Sequence, residues 1–194
     1  MSLPVDINKA INATHRIQFP SSSTSVTVHP VNNEKDVLFV NINGSLQVTG
    51  DIRLTNADCA EEFGISSTED IPEAGTVMVL NEAGELKRSD KEYDKKVVGV
   101  ASGAGNYKPG IILDRKDQDQ NNNRTPIALV GKTYCKVDAT FNPIQTGDLL
   151  TTSSTPGHAM KATDPLKAFG AVIGKALHSI ASGKGLIPIL VVSQ

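Results

Sequence analysis

The chain has no tryptophan, and aromatic residues occupy only 4% of its 194 positions. Cysteine is scarce too, with Cys59 and Cys135 the two present. Two thiols in a chain of this length, with no secretory signal, do not make a disulfide framework, so both are read as reduced, with buried packing as their ordinary role. The segment MSLPVDINKAINATHR lacks a basic head followed by an apolar block, which argues against a cleaved signal and for synthesis in the cytoplasm. No run of five basic residues occurs, and 19 Lys and Arg against 21 Asp and Glu leave a formal charge of −2. That balance argues against a protein that holds nucleic acid by bulk charge. The longest apolar stretches, such as Leu186–Val192, are less than half of the roughly 20 residues a spanning helix needs, so no membrane insertion is expected.

What the chain does have is β-branched residues: Val, Ile and Thr together supply 47 positions. Such side chains suit strands. Long helical periods are hard to find, and segments end roughly every six to ten residues at Gly, Pro, Asn or Asp, the spacing of a sandwich or barrel. The expected fold is an all-β head, mainly an antiparallel sandwich or barrel, with a short β stem, an extended N-terminal arm and at most one or two short helices. The length fits one domain with a small appendage.

Three regions follow. Residues 1–36 read as an arm or docking segment, because Pro20, the Ser21–Ser25 cluster and Pro30 break any helix begun at Ile7–Ile17. An arm that cannot bury its own Ile11, Ile17 and Phe19 needs another surface, often a neighbouring subunit; the alternative is a disordered tail. Residues 37–54, VLFVNINGSLQVTGDIRL, alternate with period two about Asn43-Gly44. They fit a hairpin or an interwound β stem. Residues 55–194 form the head, with strands expected at Gly75–Leu80, Leu86–Ser89, Lys96–Ala101, Gly110–Leu113, Thr125–Val130, Thr133–Val137, Asp148–Thr152, His158–Lys161, Ala171–Ala176 and Leu186–Val192. GTVMVLNEAGELKRS reads as a hairpin. Ala162–Phe169 reads as one short helix, capped by Thr163 or Asp164 with Pro165 in its first turn.

Four segments taken in order resemble one family: Ala57-Asp58-Cys59-Ala60-Glu61-Glu62-Phe63; Val97-Val98-Gly99-Val100-Ala101-Ser102; Pro126–Lys132; and Gly147-Asp148-Leu149-Leu150 through Thr155-Pro156-Gly157-His158-Ala159-Met160-Lys161-Ala162. Together they resemble the C-terminal intramolecular-chaperone domains of phage tail-spike and neck-appendage proteins, which are glutamic-type self-cleaving peptidases. The resemblance spans about Ile52 to Val192, and Cys59 stands where that family usually carries an aromatic. It implies a homotrimer assembled through a β stem, with the terminal domain setting register. It also implies a cut before Asp58, with Asp58 flanking the scissile bond and Glu61 as acid/base.

Read from the residues alone, Asp58 and Glu61 stand three apart and face one pocket if Ala57–Phe63 opens a helical turn; equally, Asp58 is an N-cap and Glu61 its capping-box partner. Cys59 lies among Asp58, Glu61 and Glu62, a setting that disfavours a thiolate and hence a Cys59–His158 nucleophile pair. His15, His29, His158 and His178 share no metal-ligand spacing. The run containing Asp117, Asp119, Asn121, Asn122 and Asn123 lacks the Gly and Glu of a calcium loop and reads as a solvated loop that can serve as a recognition surface. The glycines at Gly99, Gly103 and Gly105 precede no helix and read as a flexible loop, not a phosphate cradle. No metal or cofactor is implied.

The expected function is a non-enzymatic structural subunit of a phage-tail-like fibre, spike or appendage, self-associating as a trimer and acting in a virion-like or extracellular particle. The alternatives are a chaperone that cleaves itself once, and a glycan- or receptor-binding head.

Overall fold

In the computed structural model the structure describes residue 49 and residues 51–66, 71–115 and 123–192. The expected arm, the stem with its Asn43-Gly44 turn, and Asp117, Asp119, Asn121 and Asn122 lie outside these residues. The chain divides into a unit of residues 1–51 and a unit of residues 52–194, and the second is the head described below.

Among the described residues, ten strands and one short helix build the head: β1 (Asp58–Gly64), β2 (Val77–Leu80), β3 (Leu86–Arg88), β4 (Val97–Ala101), β5 (Pro109–Leu113), β6 (Arg124–Asp138), β7 (Leu149–Thr152), β8 (Ala159–Lys161), α1 (Pro165–Ala168), β9 (Val172–Ala176) and β10 (Lys184–Val191). The all-β expectation holds. Five strands close into a ring in the order β10-β9-β7-β8-β6, with β6 pairing back to β10. Closure leaves these strands no open edge, the usual reason for building a barrel. Most pairings are antiparallel; β6–β8 and β1–β5 are parallel.

The 15-residue β6 belongs to two structures at once. Its second half pairs with β10 from Gly131 to Asp138. Its first half pairs with β1 from Arg124 to Gly131 and with β4 through Ala128 and Ile127. Beyond β4 the sheet continues through β2 to β3, and β5 lies beyond β1. The sequence divides this element into separate strands at 125–130 and 133–137. The structure joins them, because Gly131 at φ 109° lets the strand change direction without ending.

Each half has its own core. Inside the barrel, Cys135 and Val137 of β6, Leu150 of β7, Ala159 of β8, Ile173 and Ala176 of β9, and Ile187, Ile189 and Val191 of β10 pack together with Val77, Val100 and Ile144. On β10 the inward Ile187, Ile189 and Val191 alternate with outward Leu186 and Leu190, as a one-sided strand requires. A second core gathers Ile65, Met78, Leu86, Ala101 and Ile127, with Phe63, Leu80, Val98 and Leu129 packed at its border. A fully buried Val, Leu or Ile contributes about 1.5–3 kcal/mol.

Local signals set the connections. β2 and β3 form the expected hairpin; Asn81 Oδ1 accepts from the backbone N–H groups of Ala83 and Glu85, both at 2.9 Å. α1 forms where Pro165 supplies a preset φ, and Asp164 Oδ1 accepts from Leu166 N at 3.0 Å and Lys167 N at 3.2 Å.

At Gly131 a Cβ atom would stand 2.6 Å from the carbonyl oxygen of Ala57. Gly131→Ala therefore adds a backbone collision to a strained φ, and is expected to cost about 2 kcal/mol or more. Urea unfolding of the full chain measures it.

Candidate functional site

The segment ADCAEEF, for which the sequence offers a helical turn or a capping box, is strand β1. Its polar residues are held extended between β5 and β6. Neither the capping box nor the one-pocket helical pair applies. Along a strand, side chains alternate between faces, and residues three apart fall on opposite sides. The irregularities beside β1 do not change this. The register passes over Gly110 on β5 and Leu129 on β6, so the extra residues lie in the neighbours and β1 keeps its own alternation. Burial follows the pattern: Asp58 and Ala60 are buried, Cys59 and Glu61 half-buried. The structure thus places Asp58 and Glu61 on opposite faces and does not bring their side chains together within the chain.

It brings Ser102 to Asp58 instead. Ser102 follows β4, 44 residues along the chain, and its Oγ donates to both carboxylate oxygens of Asp58, at 2.9 and 2.8 Å. Both residues are buried, with 4% and 8% of their surface exposed. The Ala57–Asp58 peptide is enclosed from either side. Ala57 N donates to the carbonyl of Lys108 at 2.9 Å, and its own carbonyl accepts from Lys132 N at 3.3 Å. Gly131 and Gly110 lie against the same stretch; a Cβ on Gly110 would stand 3.2 Å from the carbonyl oxygen of Asn56. Three of the four segments quoted above, β1, β4 with Ser102 and the first half of β6, meet here. The fourth forms β7, β8 and their turn in the barrel.

Burial pushes the Asp58 carboxyl group above the usual carboxylate range, and the Ser102 hydroxyl opposes that rise. In chemical terms the site holds a carboxyl group in a largely dry setting, with one hydroxyl as donor, beside a peptide bond whose carbonyl has a backbone N–H partner. Sequence reasoning missed Ser102 as a partner, since a serine after a strand carries no local mark of what it will face.

The other candidates lie apart. Half-buried Glu62 stands 3.8 Å from Arg124, whose Nη2 also donates to the Glu62 carbonyl at 2.6 Å and reaches Asp114. The neighbouring Asn123 carbonyl accepts from Ile65 N at 2.9 Å. Cys59 and Cys135 are free thiols, and burial pushes that of Cys135 up to about 12. His158 Nδ1 lies 2.8 Å from the carbonyl of Pro156. Among the described residues no three His, Cys, Asp or Glu side chains gather as metal ligands. A groove of about 350 Å³ runs beside Phe169, lined by Val97, Val98, Val172 and Val191 together with Lys95.

The architecture is that of a β-rich head in which a closed barrel shares one strand with an outer sheet. In fold it is similar to the pre-mature bacteriophage phi29 gene product 12, with a TM-score of 0.54 and 15% identity over 77% of this chain and 24% of that chain. The C-terminal fragment of the same gene product aligns over 69% of this chain and 99% of that chain, at 16% identity and a TM-score of 0.46. The chain spans about a quarter of the longer protein (24%), and the likeness is one of fold. No protein-family model and no curated protein matches the chain.

The buried carboxyl group sets a pH dependence. Because the folded pKa of Asp58 is raised, its contribution to stability is present below the unfolded value of 3.8 and is lost as pH rises through the folded value. Asp58→Asn removes that loss while keeping an acceptor for Ser102. Thermal melts are expected to show a higher Tm for the variant at pH 7, with the gain shrinking as pH falls through the folded value.

Proposed function

We propose that this chain is the head-bearing subunit of a phage-tail-like spike, fibre or appendage. It self-associates as a trimer, with residues 1–36 as docking arm and 37–54 as stem. The observation that carries the reading is the fold, which aligns over 77% of the chain with phi29 gene product 12. The surface supports self-association. Phe141, Leu166 and Phe169 are 86%, 89% and 82% exposed in a chain with only five Phe and no Trp. Exposed apolar side chains mark a surface that another protein covers where they adjoin, as Leu166 and Phe169 do along α1 and its C-cap.

A second reading, that the head cuts its own chain before Asp58, is favoured by one observation. A carboxyl group of raised pKa is buried beside the Ala57–Asp58 bond, in a backbone enclosure made by two glycines. In this reading Asp58 carries the chemistry once per chain.

Light scattering of the full chain is expected to give about three times its 20.6 kDa mass; a monomer at micromolar concentration sinks the trimer. For the second reading, intact-mass spectrometry after prolonged incubation is expected to find a fragment beginning at Asp58 in the wild type and none in Asp58→Ala.

A further inference from the structure

Ser102 is held in place more firmly than a surface serine would be. Its backbone N–H donates to the Pro126 carbonyl of β6 at 2.9 Å. The preceding Ala101 donates to the Thr76 carbonyl at 2.8 Å and accepts from Gly75 N at 2.7 Å. Gly103, at φ 101°, then turns the chain away. Backbone bonds to two separate segments therefore fix the main chain of Ser102, and from there its hydroxyl meets Asp58. A carboxylate on a single-bonded stem turns freely in water. Here one donor within 2.9 Å of both oxygens fixes where the group stands.

We propose that Ser102 is the positioning residue of the Asp58 carboxyl group, holding it in one orientation beside the Ala57–Asp58 bond for the cut before Asp58. The proposal rests on the self-cleavage reading and adds to it the residue on which the reactive geometry depends. Cleavage adds water across that bond. The C–N bond breaks, the water oxygen joins the Ala57 carbonyl carbon to complete a carboxyl group, and a proton passes to the nitrogen of Asp58. The Asp58 carboxyl group can relay that proton only when it is fixed relative to the bond, since proton transfer needs hydrogen-bond reach. Ser102 is unchanged by the reaction. Glu61, on the opposite face of β1, does not share this place within the chain.

The experiment uses the full chain as wild type, Ser102→Ala, Ser102→Thr and Ser102→Cys. Each is incubated across a range of pH, and the fragment beginning at Asp58 is quantified by intact mass, with thermal melts as a check of folding. Ser102→Ala is expected to cleave about 100-fold more slowly, the size of effect that a misplaced group produces. Its pH midpoint is expected to move upward, because loss of the hydroxyl removes the contact that opposes the raised pKa. Ser102→Thr keeps the hydroxyl and is expected to restore both rate and midpoint, which a mere packing role does not predict. If Ser102→Ala does not fold, Ser102→Cys decides: it keeps the shape, offers only a weak S–H donor, and is expected to change rate and midpoint in the same direction. A wild-type rate with an unmoved midpoint in the folded variant overturns the role of Ser102 and leaves self-cleavage standing. A wild-type chain that stays whole at every pH overturns self-cleavage and the role of Ser102 with it.

Discussion

The pairing of β6 on behalf of two sheets is the constraint on which the rest of this molecule depends. From Gly131 onward the strand closes the barrel through β10, and up to Gly131 it carries β1 and β4. Gly131 itself is in register with both Asp58 and Val191. β6 is not alone in serving both cores, since β2 contributes Val77 to the barrel core and Met78 to the outer core, and β4 contributes Val100 and Ala101 in the same way, but β6 is the strand that also closes the barrel. Continuity transmits register from one core to the other, since a slip of one residue would turn every side chain of β6 to the wrong face.

That same constraint creates the buried carboxyl group. Bringing β1 close enough to pair with both β5 and β6 draws Asp58 out of water, and a buried charge is costly unless hydrogen-bonded. The Ser102 hydroxyl offsets part of the cost, and the raised pKa is what remains. Two other ion pairs are of a different kind. Lys136 with Glu73, at 2.6 Å, and Lys161 with Asp148, at 2.8 Å, are partly exposed to solvent, where such pairs contribute little. Beside the Ala57–Asp58 peptide bond the head thus buries a carboxyl group whose donor is the Ser102 hydroxyl.

The distribution of aromatic residues bears on assembly. Of the phenylalanines among the described residues, Phe63 borders the outer core, whereas Phe141 and Phe169 stand in solvent. Both cores are filled mainly by Val, Ile, Leu, Ala and Met, with Cys135 in the barrel. Tyr93, Tyr107 and Tyr134 are half-buried, so the two exposed phenyl rings, Phe141 and Phe169, are the ones that the proposed self-association would cover.

Much of the fold was legible in the sequence because its signals are local. The β2–β3 hairpin is written in alternation and in Asn81, α1 in Asp164 and Pro165, and the apolar runs at 77–80, 97–101 and 186–191 are strands wherever they lie. What the sequence misassigned was β1, since Asp-x-x-Glu is a helix-start pattern when only near neighbours count. Pairing on both edges, with partners about 50 and 70 residues away (Ile111 and Val130 opposite Cys59), overrode that local preference. Of the sequence's two site residues, Asp58 lies at an enclosed and unusual position, while Glu61 belongs to the other face of the same strand. The partner of Asp58 came from 44 residues away. Composition and local pattern by themselves determined that this chain would be a β-rich head without a spanning helix, because side-chain branching and turn chemistry act over a few residues. Tertiary structure alone decided that β6 is one strand, that β1 is extended, and that Ser102 meets Asp58, because each follows from contacts between segments that no local preference specifies.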